Sequence, residues 1–217
     1  MMTDAVRFHV EPPAGARDRW TALFRPILVI PHAILVGGPF VGFGGVGGSL
    51  YRMGVLGLLA ITTAIFDWFA IVFTGHPIAG LQQFKRLYLS WRARMMAYAC
   101  LLRDEYPPFG DGAYPAWLEL PAEPPTRSFR SVLLRAFLLV PHMIVLFALL
   151  VAALFACIAS WFQIIFTGRL APALWRFTRD VMAYALRVEA YALLVHDQFP
   201  SFSLAVEAGE PALEVQP

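Results

Sequence analysis

A histidine follows a proline twice in this chain, at His32 and His142, each inside a long apolar stretch. Two imidazoles at equivalent places could ligate haem or a metal if the two stretches met at a shared axis. The plainer chemistry is local. Pro31 and Pro141 each leave a helical carbonyl without its donor, and an imidazole can satisfy polar groups at such a kink. Asp67 is an acid inside an apolar run, where a charge is costly and often functional. It reads as a proton or ion site, or as the structural partner of an arginine from the other of two repeated units. Arg94 and Arg187 fall on or near the apolar sides of their helices, with Glu189 close to Arg187. That placement suits interhelical ion pairs or anionic lipid. Asp104 and Asp197 each precede a proline by three residues and read as turn formers. No nucleophile–base pair recurs beside them, so no catalytic residue is assigned. Of the two cysteines, Cys100 lies near the end of a charged helix and Cys157 inside an apolar run. Neither a disulfide nor a metal-binding spacing is expected from them.

The elements that carry these residues need an apolar solvent. The chain has 217 residues, 59% of them hydrophobic and only 15% charged, and a mean hydropathy of +0.61. A soluble domain of this length needs a more charged surface. No Asp, Glu, Lys or Arg occurs between Arg25 and Arg52, between Arg52 and Asp67, or between Arg135 and Arg169. Such runs cross or deeply enter a bilayer. The segment from Met1 to Pro13 is polar and does not read as a cleaved signal peptide; the first apolar helix is expected to act as the membrane signal.

The chain also repeats itself. Arg25 to His32 aligns with Arg135 to His142 at an offset of 110. Trp68-Phe-Ala-Ile-Val-Phe-Thr-Gly75 aligns with Trp161-Phe-Gln-Ile-Ile-Phe-Thr-Gly168 at an offset of 93, which then holds without a gap to Phe109 and Phe202. Arg86 falls on Arg179, Arg94 on Arg187, Tyr98 on Tyr191 and Asp104 on Asp197. The change of offset marks an insertion of about 17 residues in the first copy. It includes the Gly-rich stretch Gly37 to Ser49, which favours irregular backbone. That stretch lacks the Lys-Ser or Lys-Thr of a phosphate loop. The units are therefore 1–110 with the insertion, a Pro-rich linker over 111–127, a second unit over 128–206 and a polar tail over 207–217 that is expected to be disordered.

The order Pro-His, Trp-Phe-x-Ile-x-Phe-Thr-Gly, an Arg-bearing helix and Asp104-Glu-Tyr-Pro-Pro-Phe109, with its looser second form Asp197-Gln-Phe-Pro-Ser-Phe202, resembles the bacterial family catalogued as domain of unknown function 4389. The likeness covers nearly the whole chain, in two copies. It implies a bacterial multi-pass membrane protein and supplies neither reaction nor substrate. The Gly-rich insertion and Asp67 depart from the usual pattern.

Charge placement orients the helices. The expected fold is all-α and membrane-integral, each copy an apolar hairpin followed by an amphipathic interfacial helix. The helices are expected at Trp20–Val36, Met53–Thr74 and Ala79–Arg103, then Ser131–Phe147, Ala152–Thr167 and Ala173–His196. No Gly or Pro marks a turn between Met143 and Thr167, so one long helix is the alternative to the second hairpin. Arginines flank both ends of each apolar run, and cytoplasmic segments collect them. The hairpin, with both termini and the linker cytoplasmic, satisfies that rule in both copies. Lys85, Arg92 and Arg103 share one face of the third helix, and Arg176, Arg179, Asp180 and Arg187 an arc of the sixth, which suits helices lying at the headgroups. Arg86, Arg94, Arg179 and Arg187 recur at equal spacing and are the candidates for binding anionic lipid phosphate.

The function expected from these features is non-enzymatic: an accessory or scaffold subunit of a bacterial inner-membrane assembly, with anionic lipids and membrane proteins as partners. No cofactor, metal or nucleic acid is implied. A lipid-handling or small-solute transport protein is the second reading, since duplicated units are a common transporter plan, and a membrane-embedded lipid enzyme is the third.

Overall fold

The computed structural model describes residues 6–13, 15–40, 54–122, 127 and 129–204. In chain order these form β1 (Arg7–Val10), α1 (Arg19–Leu28), α2 (Ile30–Val36), α3 (Val55–Thr74), α4 (Ala79–Ala99), β2 (Ala116–Glu119), α5 (Phe129–Thr167) and α6 (Pro172–Ala192). The disordered-tail expectation and most of the Gly-rich stretch lie outside the described residues.

The hairpin of the second copy is replaced by one helix. α5 runs unbroken through 39 residues with Pro141 inside it, a contour of about 58 Å at 1.5 Å per residue. The physical reason is the sequence after Met143, which offers Leu, Ala, Val and Ile and no residue that frees the chain from the helix. The first copy is the same path interrupted. α1 and α2 bend by 41° at Val29, and the end of α2 abuts the start of α3. Gly54, the N-cap of α3, lies so close to Leu35 and Gly37 that an added Cβ would sit 2.3 Å from the Gly37 nitrogen. By the offsets, Val36 corresponds to Leu146 and Gly54 to Phe147. The insertion therefore leaves and re-enters the helical path at one point, and neither copy contains an apolar hairpin among its described residues.

Three layers result. α1, α2, α3 and α5 form an outer layer of apolar helices. α4 and α6 form a middle layer, α4 against α2 and α3, α6 against α5, and each against the other. The two strands pair antiparallel, with Phe8 opposite Leu118, and pack on the middle layer, β1 on α6 and β2 on α4. Part of the Pro-rich linker is thus an ordered strand. Buried side chains alternate with half-buried ones in β1 and with exposed ones in β2, the period-2 pattern of a strand packed on one face.

The interfacial-helix expectation is corrected for α4. Lys85, Arg92 and Arg103 are buried, as are most residues from Tyr88 to Tyr98. The wheel shows which residues share a face but not what that face meets; here carboxylates and carbonyls from other elements meet it. α6 is likewise buried from Val181 to Leu186, while Arg176 stays exposed and Arg179, Asp180 and Arg187 are half-buried. Large apolar side chains stay exposed along the outer layer, from Trp20 to Ile34, Val55 to Phe73 and Phe129 to Phe166.

Candidate functional site

The polar residues flagged in the sequence assemble into buried networks, several of which recur in both copies. In the last turn of α1, Arg25 donates to Asp104 at 2.8 Å and to the carbonyls of Tyr98 and Arg103. Its guanidinium lies 4.5 Å over the Tyr98 ring. Arg135 does the same in α5, donating to Asp197 at 2.7 Å and to the Tyr191 carbonyl, with its guanidinium 4.2 Å over the Tyr191 ring. A second arginine completes each cluster. Arg17 bonds Asp104 and the Leu101 carbonyl, and Arg127 bonds Asp197 and the Leu194 carbonyl. Leu101 and Leu194 hold φ of 62° and 59°, a left-handed turn unusual for leucine that aims these carbonyls at the arginines. Asp104 and Asp197 are therefore arginine receptors, a role that their place before proline does not indicate. The sequence reading missed Arg17, Arg25, Arg127 and Arg135. A signal was present, since each arginine recurs at one offset and each aspartate at the other.

The histidines do not meet. His32 accepts a hydrogen bond at Nδ1 from Trp91 Nε1 at 3.0 Å and stacks on Phe109, with centroids 4.3 Å apart. His142 shares a 2.7 Å hydrogen bond with the Tyr184 hydroxyl and stacks on Phe202 at 4.2 Å. The expected role at the proline kink is corrected: each imidazole ties its long helix to α4 or α6 and to the loop beyond. Among the described residues no group of three His, Cys, Asp or Glu is placed to hold a metal ion.

Asp67 is buried and paired with Lys85 at 2.5 Å. It also accepts from Gln82 and from the Ile78 main-chain N–H at the start of α4. Its partner is a lysine of its own copy, not an arginine of the other. Lys85 and Gln82 reach on to the carbonyls of Leu193 and Leu194 at the end of α6. In the second copy Ser160 stands in place of Asp67, and Gln163 makes the corresponding bond to Ala171 N at 2.9 Å. Across the α4–α6 contact, Glu189 accepts from Arg92 at 2.6 Å and from Tyr88 at 2.9 Å. Burial, then the Glu189 carboxylate, pushes the Tyr88 phenol well above its ordinary range, so it remains a donor. Glu189 thus pairs with Arg92 of the other copy and not with its neighbour Arg187.

Of the four equally spaced arginines, three hold loops and the fourth pairs within its own helix. Arg94 donates to the carbonyls of Gly110 and Gly112, Arg187 to that of Ser203, Arg86 to that of Pro121, and Arg179 pairs with Asp180. The cysteines, far apart in sequence, are neighbours: Cys157 Sγ lies 3.8 Å from the Cys100 carbonyl, and both thiols are free.

The structure is thus mostly helical, and among the described residues two helices, in α3 and α5, are long and apolar enough to cross a membrane. The chain belongs to the family described as domain of unknown function (DUF4389), whose model matches residues 50–110 and 130–203, two tandem copies as the repeat implies. No curated protein and no solved structure matches the chain.

Proposed function

We propose that this chain is a non-enzymatic module of the bacterial inner membrane, an accessory or scaffold subunit that presents an apolar helical surface to lipid and to a membrane partner. One observation carries the reading. The charged residues that could do chemistry at depth, Asp67, Lys85, Arg92 and Glu189, are held in internal pairs that join α3, α4 and α6, while the outer layer offers large apolar side chains along its length. A contiguous exposed apolar surface marks membrane or protein contact. Arg19, Arg169 and Arg176 are exposed near one end of that layer and suit anionic headgroups. Arg86 and Arg179, half-buried, keep part of their surface open to the same groups.

The test is native purification in mild detergent with mass spectrometry of what accompanies the chain. The proposal expects a membrane protein in stoichiometric amount together with anionic lipid. A chain that purifies without a protein partner, carrying one lipid species at unit stoichiometry, would move it to lipid handling.

A further inference from the structure

We propose that the apolar layer lies along the plane of a single leaflet, with the acyl chains of that leaflet as its occupant, and does not cross the bilayer. This inference rests on the membrane reading above and specifies its geometry. The first ground is length. The α5 contour of about 58 Å is nearly twice a hydrocarbon core of about 30 Å, yet large apolar side chains are exposed from Phe129 to Phe166. A helix standing across the membrane would push many of them into water.

The second ground is the internal symmetry. The Arg17 N–H donates to the Gly168 carbonyl, and the Arg127 N–H to the Gly75 carbonyl. The start of each long path thus meets the end of the other. α4 and α6 are exchanged the same way: Gln82 and Lys85 near the start of α4 reach the end of α6, and Trp175 near the start of α6 donates to the Leu102 carbonyl at the end of α4. The strands pair about Phe8 and Leu118, themselves 110 apart. One twofold operation accounts for all three, and it relates the two halves within each layer without exchanging the layers. Its axis therefore runs perpendicular to them, and with that axis along the membrane normal both ends of α5 lie at one depth.

The third ground is the polar flank. The strands pack on the middle layer, and Glu119 of β2 and Glu11, just beyond β1, are exposed. Laid in one leaflet, the outer helices face acyl chains while the sheet faces water. Tyr106, Phe109, Phe199 and Phe202, exposed in the loops that pack against His32 and His142, then fall at headgroup level, where aromatics concentrate. This arrangement also places arginines at both ends of the apolar run on one side, the condition from which the hairpin was expected.

The test uses the full chain in sealed vesicles of phosphatidylethanolamine and phosphatidylglycerol, with single cysteines at Phe129, Ala152, Arg169 and Trp117. An impermeant maleimide should label Phe129, Arg169 and Trp117 from the same side, at least tenfold faster than from the other, and Ala152 from neither. Nitroxides at Phe137, Ile144, Val151 and Ile158 should report similar depths by oxygen and nickel relaxation. Labelling of Phe129 and Arg169 from opposite sides, with a depth maximum near Val151, overturns the single-leaflet placement and leaves the membrane reading standing. A folded chain that stays out of vesicles, its apolar layer covered by a second copy or another protein, overturns both.

Discussion

The main-chain N–H of Arg17 donates to the carbonyl of Gly168 at 2.9 Å, and Arg127 donates to Gly75 at 3.1 Å in the matching place. Each bond joins the residue before one apolar path to the residue after the other. The side chains of the same two arginines reach Asp104 and Asp197. A single residue in each copy thus fastens its own loop and the other copy's helix end.

Replacing Asp104 or Asp197 with Asn should therefore destabilise the fold by similar amounts. Each change leaves two buried guanidinium groups beside a neutral amide. The loss expected is about 2 to 3 kcal/mol, at or below the lower end of the range for a broken buried pair, because both carboxylates remain about a quarter exposed. Thermal unfolding in detergent reads it. A change under about 0.5 kcal/mol in either variant, the level of an ordinary surface substitution, would return the aspartates to a turn-forming role.

The insertion makes a second prediction. Deleting 37–53 joins Val36 directly to Gly54, as Leu146 is joined to Phe147 in the second copy. The shortened chain should fold with helical content and midpoint close to the parent. Gly54→Ala in the full chain should do the opposite. Gly54 has φ of +74° and its added Cβ meets backbone atoms at 2.3 to 2.7 Å, so the cost is about 2 kcal/mol or more. A deletion variant that aggregates while Gly54→Ala is silent would contradict the interrupted-helix account.

Much of this was legible in the sequence, and the failures have physical causes. The repeat, α3 at Val55–Thr74 against the expected Met53–Thr74, and the start of α4 at Ala79 follow from motif recurrence and from Gly75, a left-handed C-cap. Arginines flank both ends of the long helix, so the sequence alone favours a hairpin there and admits one helix as the alternative. The positive-inside rule fixes which side a segment meets and not how deep the intervening helix runs, so a hairpin and an in-plane helix satisfy it equally. Lys85 and Arg92 read as wet because the helical wheel shows neither Asp67, on the preceding helix, nor Leu193 and Glu189, which lie 108 and 97 residues away. The strands are four residues each beside prolines, too short for periodicity to separate them from a linker.

A third prediction concerns acid. His196 is buried, faces the Arg187 main chain, and neither ring nitrogen completes a hydrogen bond. Burial, then Arg135 and Arg127, outweighs Asp197 and lowers its pKa from 6.5 to about 4. Between those values the unfolded chain holds the proton and the folded chain does not. Stability should therefore fall as the pH drops from about 6.5 to about 4 and level off below, with a loss on the order of 3 kcal/mol. His196→Gln should flatten that window. An equal slope in both proteins would assign the acid sensitivity to other groups.

The central claim is that α5 is one continuous helix along which the two copies exchange ends. Pulsed electron spin resonance between nitroxides at Phe129 and Arg169 measures it directly, since both positions are exposed and the native cysteines are buried. The continuous helix places the labels about 50 Å or more apart at 1.5 Å per residue. A distance below about 25 Å, as a hairpin of two short helices requires at its ends, would contradict the account.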